Sequence, residues 1–287
     1  MSNVNVSEFL DLQTASAPVQ GAKESIFKSI YIGGTPRTEN GIQLIPGKLQ
    51  VKDVPELYNK DELHMVILYT KRILVKEKNT PQGKTLLCMS YLNTNPPKGT
   101  AHGPCGRTAA ERAADPFCAT CKSHLIVAGV LTQPNGTPIK DSDGELVFGF
   151  IRGRGVKYVP ISDYVRSLTQ MELPYRIFSE DQESFERSVA NKMKIVTRIV
   201  PSTTNTKFGI KQIFKLEPGN IIPKEACLKY MNLAKTKLPD FDEKFDWSRQ
   251  INNTNNNQDN NINNDENYNI LSNDDDMEMV DDLDFNF

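Results

Sequence analysis

The chain has 287 residues, 38% of them hydrophobic, with a formal net charge of −2; that length and apolar content can build one medium domain or two small ones around a real core. No stretch resembles a membrane span, and Met1 to Val19, which includes Glu8 and Asp11, lacks the basic and apolar regions of a secretory signal, so a cytoplasmic place is expected. The small net charge hides a segregation: Trp247 to Phe287 holds ten acidic residues and one basic, leaving 33 basic and 26 acidic residues in 1–246. A basic body with a tethered acidic tail points to a polyanionic partner, and neither a membrane nor a small-molecule substrate is expected.

Residues 1–40 read as an N-terminal arm. From 41 to 246 the chain reads as a core of short strands punctuated by Gly, Pro and Asn. The strands are Leu49 to Val51, Met65 to Val75, Leu86 to Leu92, Leu125 to Leu131, Leu146 to Ile151, Ile195 to Val200 and Phe208 to Leu216. Pro134-Asn-Gly136 and Asp141-Ser-Asp-Gly144 predict turns between two of them. Helices are expected over Ser162 to Met171, opened by a Ser-Asp cap, over Asp181 to Lys192 and over Lys224 to Lys237. Cys88 and Cys227 sit in apolar runs and are expected in the core. The expected fold is a β-rich α+β domain, a small Greek-key barrel of the OB type.

Between these strands, at about 95–125, lies His102-Gly-Pro-Cys105, then Cys118-Ala-Thr-Cys121. Two donors three positions apart on a tight turn can occupy adjacent corners of a tetrahedron around one Zn(II). The expectation is therefore one structural zinc on His102, Cys105, Cys118 and Cys121, with His124 as a competing fourth donor. A catalytic deaminase-type zinc is excluded on residues: Pro104 stands where its glutamate is needed and Phe117 where its proline is needed.

Basic residues alternate on two strands. Lys207, Lys211 and Lys215 are expected on one face, with Phe208, Ile210 and Phe214 on the other; Lys192, Lys194 and Arg198 are expected to oppose Met193 and Ile195. Lys71 and Arg72 follow Tyr69. The segment Phe148-Gly-Phe-Ile-Arg152-Gly-Arg154-Gly-Val-Lys157-Tyr158 adds glycines that expose backbone amides, cations for phosphates and Tyr158 as a stacking ring. Interleaved aromatics and cations suit single strands, whose bases present their faces. The candidate DNA contacts are Lys71, Arg72, Arg152, Arg154, Lys157, Tyr158, Lys194, Arg198, Lys207 and Lys211. No nucleophile–base constellation is visible, and Gly83-Lys-Thr85 lacks the first glycine of a phosphate-binding loop, because position 78 is lysine.

The tail, 247–287, divides into an Asn-rich stretch without sustained periodicity, expected to be a disordered linker, and Asp274 to Phe287, where apolar residues interleave with carboxylates. Leu283, Asp284, Phe285 and Phe287 are the expected partner-docking residues.

Taken with the ligand set, the strand Leu125 to Leu131, the basic turn after Leu146 and the tail, the chain resembles the helix-destabilising single-stranded-DNA-binding proteins of large tailed bacteriophages. The resemblance covers roughly 45–220 and the tail. It implies an OB-fold core with an inserted Cys3His zinc lobe and an acidic tail that recruits replication partners. The family's histidine lies further upstream of the cysteines, which keeps His64 as well as His124 open as fourth ligand. Its basic N-terminal arm has no counterpart here. The expected function is a non-catalytic protein coating single-stranded DNA in replication, recombination or repair; the alternative is a zinc-ribbon transcription or replisome adaptor.

Overall fold

The computed structural model describes residues 27–80, 83–91, 114, 116 and 121–245, with side chains described over 27–76, at 114 and 116, and over 121–237. Two compact units emerge, Met1–Thr70 with Leu125–Lys244, and Lys71–His124 with Phe245–Phe287.

In the first unit the strands are β1 (Phe27–Ile32), β2 (Arg37–Glu39), β3 (Ile42–Leu44), β4 (Leu49–Val51), the start of β5 (Leu63–Thr80), most of β7 (Lys122–Thr132), β8 (Phe148–Gly153), β9 (Ile195–Thr206) and β10 (Gly209–Ile221). They form a sheet in the order β10-β9-β5-β7-β8-β1-β4, with β2 and β3 paired separately. The sheet is strongly curled into a half-barrel, and the fold is a strand-rich α+β one. β1 runs parallel to β8 and antiparallel to β4. This corrects the expected arm: residues 27–32 are a strand inside the sheet, with Phe27 edge-on to Phe148 at 5.4 Å between ring centroids. Its buried residues Phe27 and Ile30 stand three apart, so no alternation announces the strand.

A close approach and two tight turns fix this sheet. A Cβ placed on Gly129 of β7 would lie 2.0 Å from the Val66 carbonyl oxygen of β5, so only glycine lets these strands meet there. Between β7 and β8 the two expected turns form, each closed by a glycine amide: Gly136 donates to the Gln133 carbonyl and Gly144 to that of Asp141.

The core gathers Leu49, Val51, Met65, Ile67, Val127, Leu131 and Ile151 from the sheet under helix α1 (Tyr158–Gln170). Ile161, Tyr164, Val165 and Leu168 repeat at the helical spacing and form its buried face. Each such fully buried side chain contributes about 1.5–3 kcal/mol relative to leaving it exposed. The Tyr164 hydroxyl meets Thr197 Oγ1 at 2.8 Å, and burial above all pushes its pKa up to about 12. The helix begins four residues before the expected Ser162-Asp163 cap, because Pro160 lies in the first turn, where its missing N–H costs no helical bond.

The next helical stretch is broken: α2 (Glu183–Phe185), a π-turn at Glu186–Ala190, then α3 (Asn191–Lys194) leading straight into β9. Last comes α4 (Lys224–Phe245), with Cys227 fully buried as expected.

In the second unit the far half of β5 pairs antiparallel with β6 (Gly83–Tyr91), from Ile73↔Tyr91 to Thr80↔Gly83. Among the described residues no helix is long and apolar enough to cross a membrane.

Candidate nucleic-acid interface

The glycine-rich turn after β8 is built against α1. A Cβ on Gly153 would crowd Ile161 Cδ1 at 3.2 Å and the Lys157 carbonyl oxygen at 3.3 Å, so glycine lets the turn close on the helix. Arg154 is extended (φ −144°, ψ 153°) and leads into a single 3-10 turn, Gly155–Lys157, with Gly155 at φ +51°. Arg154 and Lys157 thus stand at the positive end of the α1 dipole. The Lys157 ammonium lies 5.7 Å from the ring centroid of Phe214 on β10. Two basic segments that are separate in sequence are therefore adjacent in the fold. Tyr158 opens the helix and packs, half-buried, against the apolar core. Arg152, on β8, is half-buried.

β9 and β10 form a long two-stranded ribbon in continuous register from Arg198↔Glu217 to Thr206↔Gly209, while β5 pairs with β9 only at Ile199, Arg198 and Thr197. The distal part therefore extends past the three-stranded region. Lys211 and Lys215 share one face, as the alternation predicts; Lys207 belongs to the turn. That turn is pinned by Thr206, whose hydroxyl donates to the Gly209 carbonyl at 2.8 Å and accepts from the Phe208 amide at 3.1 Å, with Gly209 at φ +101°. From Ile199 to Leu216 the chain carries three lysines and no carboxylate. Near the base, the loop after β3 approaches the ribbon: a Cβ on Gly47 would lie 3.9 Å from Gln212 Nε2.

Several expected contacts are corrected. Lys194 is not on the strand at all, since the helical stretch continues through it, and its side chain is 2% exposed. Its ammonium donates to Glu186, to the Tyr175 carbonyl at 3.1 Å and to Asn191 Oδ1 at 3.2 Å, which uses all three donors. It cannot meet a phosphate in this fold. Lys192 has its ammonium beside Thr70 Oγ1 at 3.0 Å, where desolvation pushes its pKa down to about 8.

Arg198 is clamped between Glu62 at 2.7 Å and Glu217 at 2.6 Å. Its hydrogen bonds to Glu62 and then to Glu217 raise its pKa. Lys215 bonds Glu217 at 2.7 Å, and this bond, followed by that of Arg198, holds the Glu217 carboxyl below its usual range. His64 joins this patch, 3.7 Å from Glu62, with its pKa lowered first by burial and further by Arg198. Two cations and two carboxylates cancel here, so the patch offers no net positive charge.

Lys71 and Arg72 fall in the second unit and are half-buried, the Arg72 guanidinium reaching Ser123 Oγ at 3.4 Å. His124 and Cys121 are buried in the same unit. His102, Cys105, Cys118 and the tail residues Leu283, Asp284, Phe285 and Phe287 lie outside the described residues.

Sequence reasoning missed the end of the ribbon. Phe208 and Ile210, expected on the face opposite the lysines, are 53% and 71% exposed. Comparison with models of protein families, with characterised proteins and with solved structures gives no match.

Proposed function

We propose that this protein binds single-stranded DNA without acting on it chemically, coating it in replication, recombination or repair. The half-barrel is read as an OB-type barrel. Its binding track runs from the Arg154–Lys157 turn onto the solvent side of the β9–β10 ribbon. The observation that supports this most is that the glycine-rich basic turn, whose Lys157 meets the inner side of β10 at the buried Phe214, lies beside a strand pair whose sequence has no acidic residue from 199 to 216. A helix N-terminus flanked by Arg154 and Lys157 suits a phosphate chain.

His102, Cys105, Cys118 and Cys121 would hold one structural zinc. The three thiols and one imidazole are a donor set this ion favours, and Cys121 is buried, as a structural ligand should be. When bound, the ion would cross-link a lobe too small to close around its own core. The tail, through Leu283, Asp284, Phe285 and Phe287, would recruit replication or recombination proteins.

The test is a titration of labelled single-stranded and duplex oligonucleotides over a range of salt. Single strands should be preferred, with a log–log salt slope of about −0.7 per phosphate contact. Arg154→Ala and Lys157→Ala should each remove roughly one contact from that slope. Equal affinity for duplex, or a slope untouched by the paired substitution, would overturn the proposal.

A further inference from the structure

The distal ribbon presents a combination that neither the core nor the groove uses. Phe208 sits at the turn, half exposed, with the Lys207 ammonium 5.2 Å from its ring centroid. Ile210 follows on β10 at 71% exposure. An aromatic ring and a branched aliphatic this exposed, at the end of a turn fixed by the Thr206 side chain, gain little from packing within this fold. The turn also fixes the backbone at Phe208, so little backbone entropy remains to be lost when a partner covers it.

We infer that the β9–β10 hairpin is a stacking finger, in which Phe208 takes an unpaired nucleobase on its ring and Lys207 the adjoining phosphate, while Ile210 packs against the same or the neighbouring base. The inference rests on the single-strand reading above and extends it to a site beyond the Arg154–Lys157 turn. Charge selects the occupant. With Lys207 exposed at the tip and no carboxylate in the sequence from Ile199 to Leu216, the tip attracts a polyanion and repels a second copy of itself. A duplex hides its base faces inside the stack, so a ring at a hairpin tip gains most from single strands.

The experiment uses the full chain. It has one tryptophan, Trp247, so Phe208→Trp combined with Trp247→Phe gives a reporter at the tip alone. Anisotropy of a labelled oligothymidylate reports binding independently of that reporter. A bound oligothymidylate should quench the tip emission, and an abasic strand of equal length and charge should not. Phe208→Ala should weaken binding to oligothymidylate by about 5- to 150-fold with an unchanged salt slope, the loss of one stacked base.

If anisotropy shows binding while the tip emission stays unchanged, the finger is wrong and the single-strand reading stands. If the unsubstituted protein binds no oligonucleotide, the single-strand reading fails and takes the finger with it. A dimer in sedimentation that Phe208→Ala dissociates, with DNA affinity untouched, would assign the tip to self-association and overturn the inference as well.

Discussion

The two ends of the stretch from Glu186 to Leu216 treat the same residue types in opposite ways. At its start, Lys194 is drawn inside, with Glu186, Asn191 and the Tyr175 carbonyl taking its three protons. At its far end, Lys207 stands in solvent over an exposed ring, in a run without carboxylates. Arg198, between them, is held by Glu62 and Glu217. A cation contributes to a polyanion surface only where the fold brings no carboxylate to it, and the spacing of lysines along a strand does not reveal that.

The largest effect should come from the buried end. Lys194→Met leaves the Glu186 carboxylate buried with only the Ile177 and Phe178 amides as donors, and deprives the Tyr175 carbonyl and Asn191 of theirs. Breaking such a pair from one side costs about 3–5 kcal/mol. Urea denaturation should show that loss, while the folded fraction binds single strands as before. Weakened binding at unchanged stability would mean that Lys194 faces the ligand, and the contrast between the two ends would collapse.

How far the sequence reveals this division depends on the range of the interaction. Strand periods located β4 to β10, since alternation is local to each strand, but stopped β5, β9 and β10 short at Val75, Val200 and Leu216 where the strands run on to Thr80, Thr206 and Ile221. The helix end at Lys194 was hidden because Lys-Met-Lys-Ile alternates as well as any strand. Glu186 lies eight positions before Lys194 across a π-turn, and Glu62 lies 136 positions from Arg198; neither pairing has a local signature. Phe208 and Ile210 show the complementary limit: alternation names a face but does not say where the core beneath it ends. The turn of 153–157 was legible from its glycines, whereas its neighbour Phe214 was not. The zinc ligands His102, Cys105 and Cys118 and the acidic tail, the clearest signals in the sequence, lie outside the described residues.

An intermediate effect should come from the tail, which tests whether the ribbon is the basic surface it meets. By the composition of Gln250 to Asn273, a random-coil linker of that length would span about 25–30 Å. Ten carboxylates beyond Trp247 held at that range should compete with phosphates for the acid-free ribbon, mostly at low salt. Deleting 274–287 should tighten single-strand binding by about tenfold at low salt, roughly 1.4 kcal/mol, and by less as salt rises. The gain should disappear when Lys207→Ala and Lys211→Ala are also present. A gain that survives in that background would place the tail elsewhere.

The smallest effect should come from the Arg198 patch, which can be converted from the first kind of region to the second. With Glu62→Gln and Glu217→Gln together, Arg198 loses both carboxylates and Lys215 loses its partner, so the patch becomes cationic. The salt slope for single strands should then steepen by about 0.7 for one added phosphate contact, and a slope identical to that of the unsubstituted protein would show that the track does not pass this face. Acid offers an independent check. Lys215 and Arg198 hold the Glu217 carboxyl below its ordinary value of 4.5, so its contribution to stability is complete above that value and is lost as pH falls through the lower, folded one. His64, kept neutral by burial, works in the same direction from higher pH: its unfolded form takes up a proton near 6.5 before the folded form does. Urea midpoints of the unsubstituted protein should therefore decline on acidification in two stages. The first begins near the ordinary histidine value and the second below the ordinary glutamate value. Glu217→Gln should flatten the second stage and leave the first. If both stages persist unchanged in that variant, Glu217 is not the group being titrated, and the ion pairs drawn around Arg198 do not govern the acid response of this face.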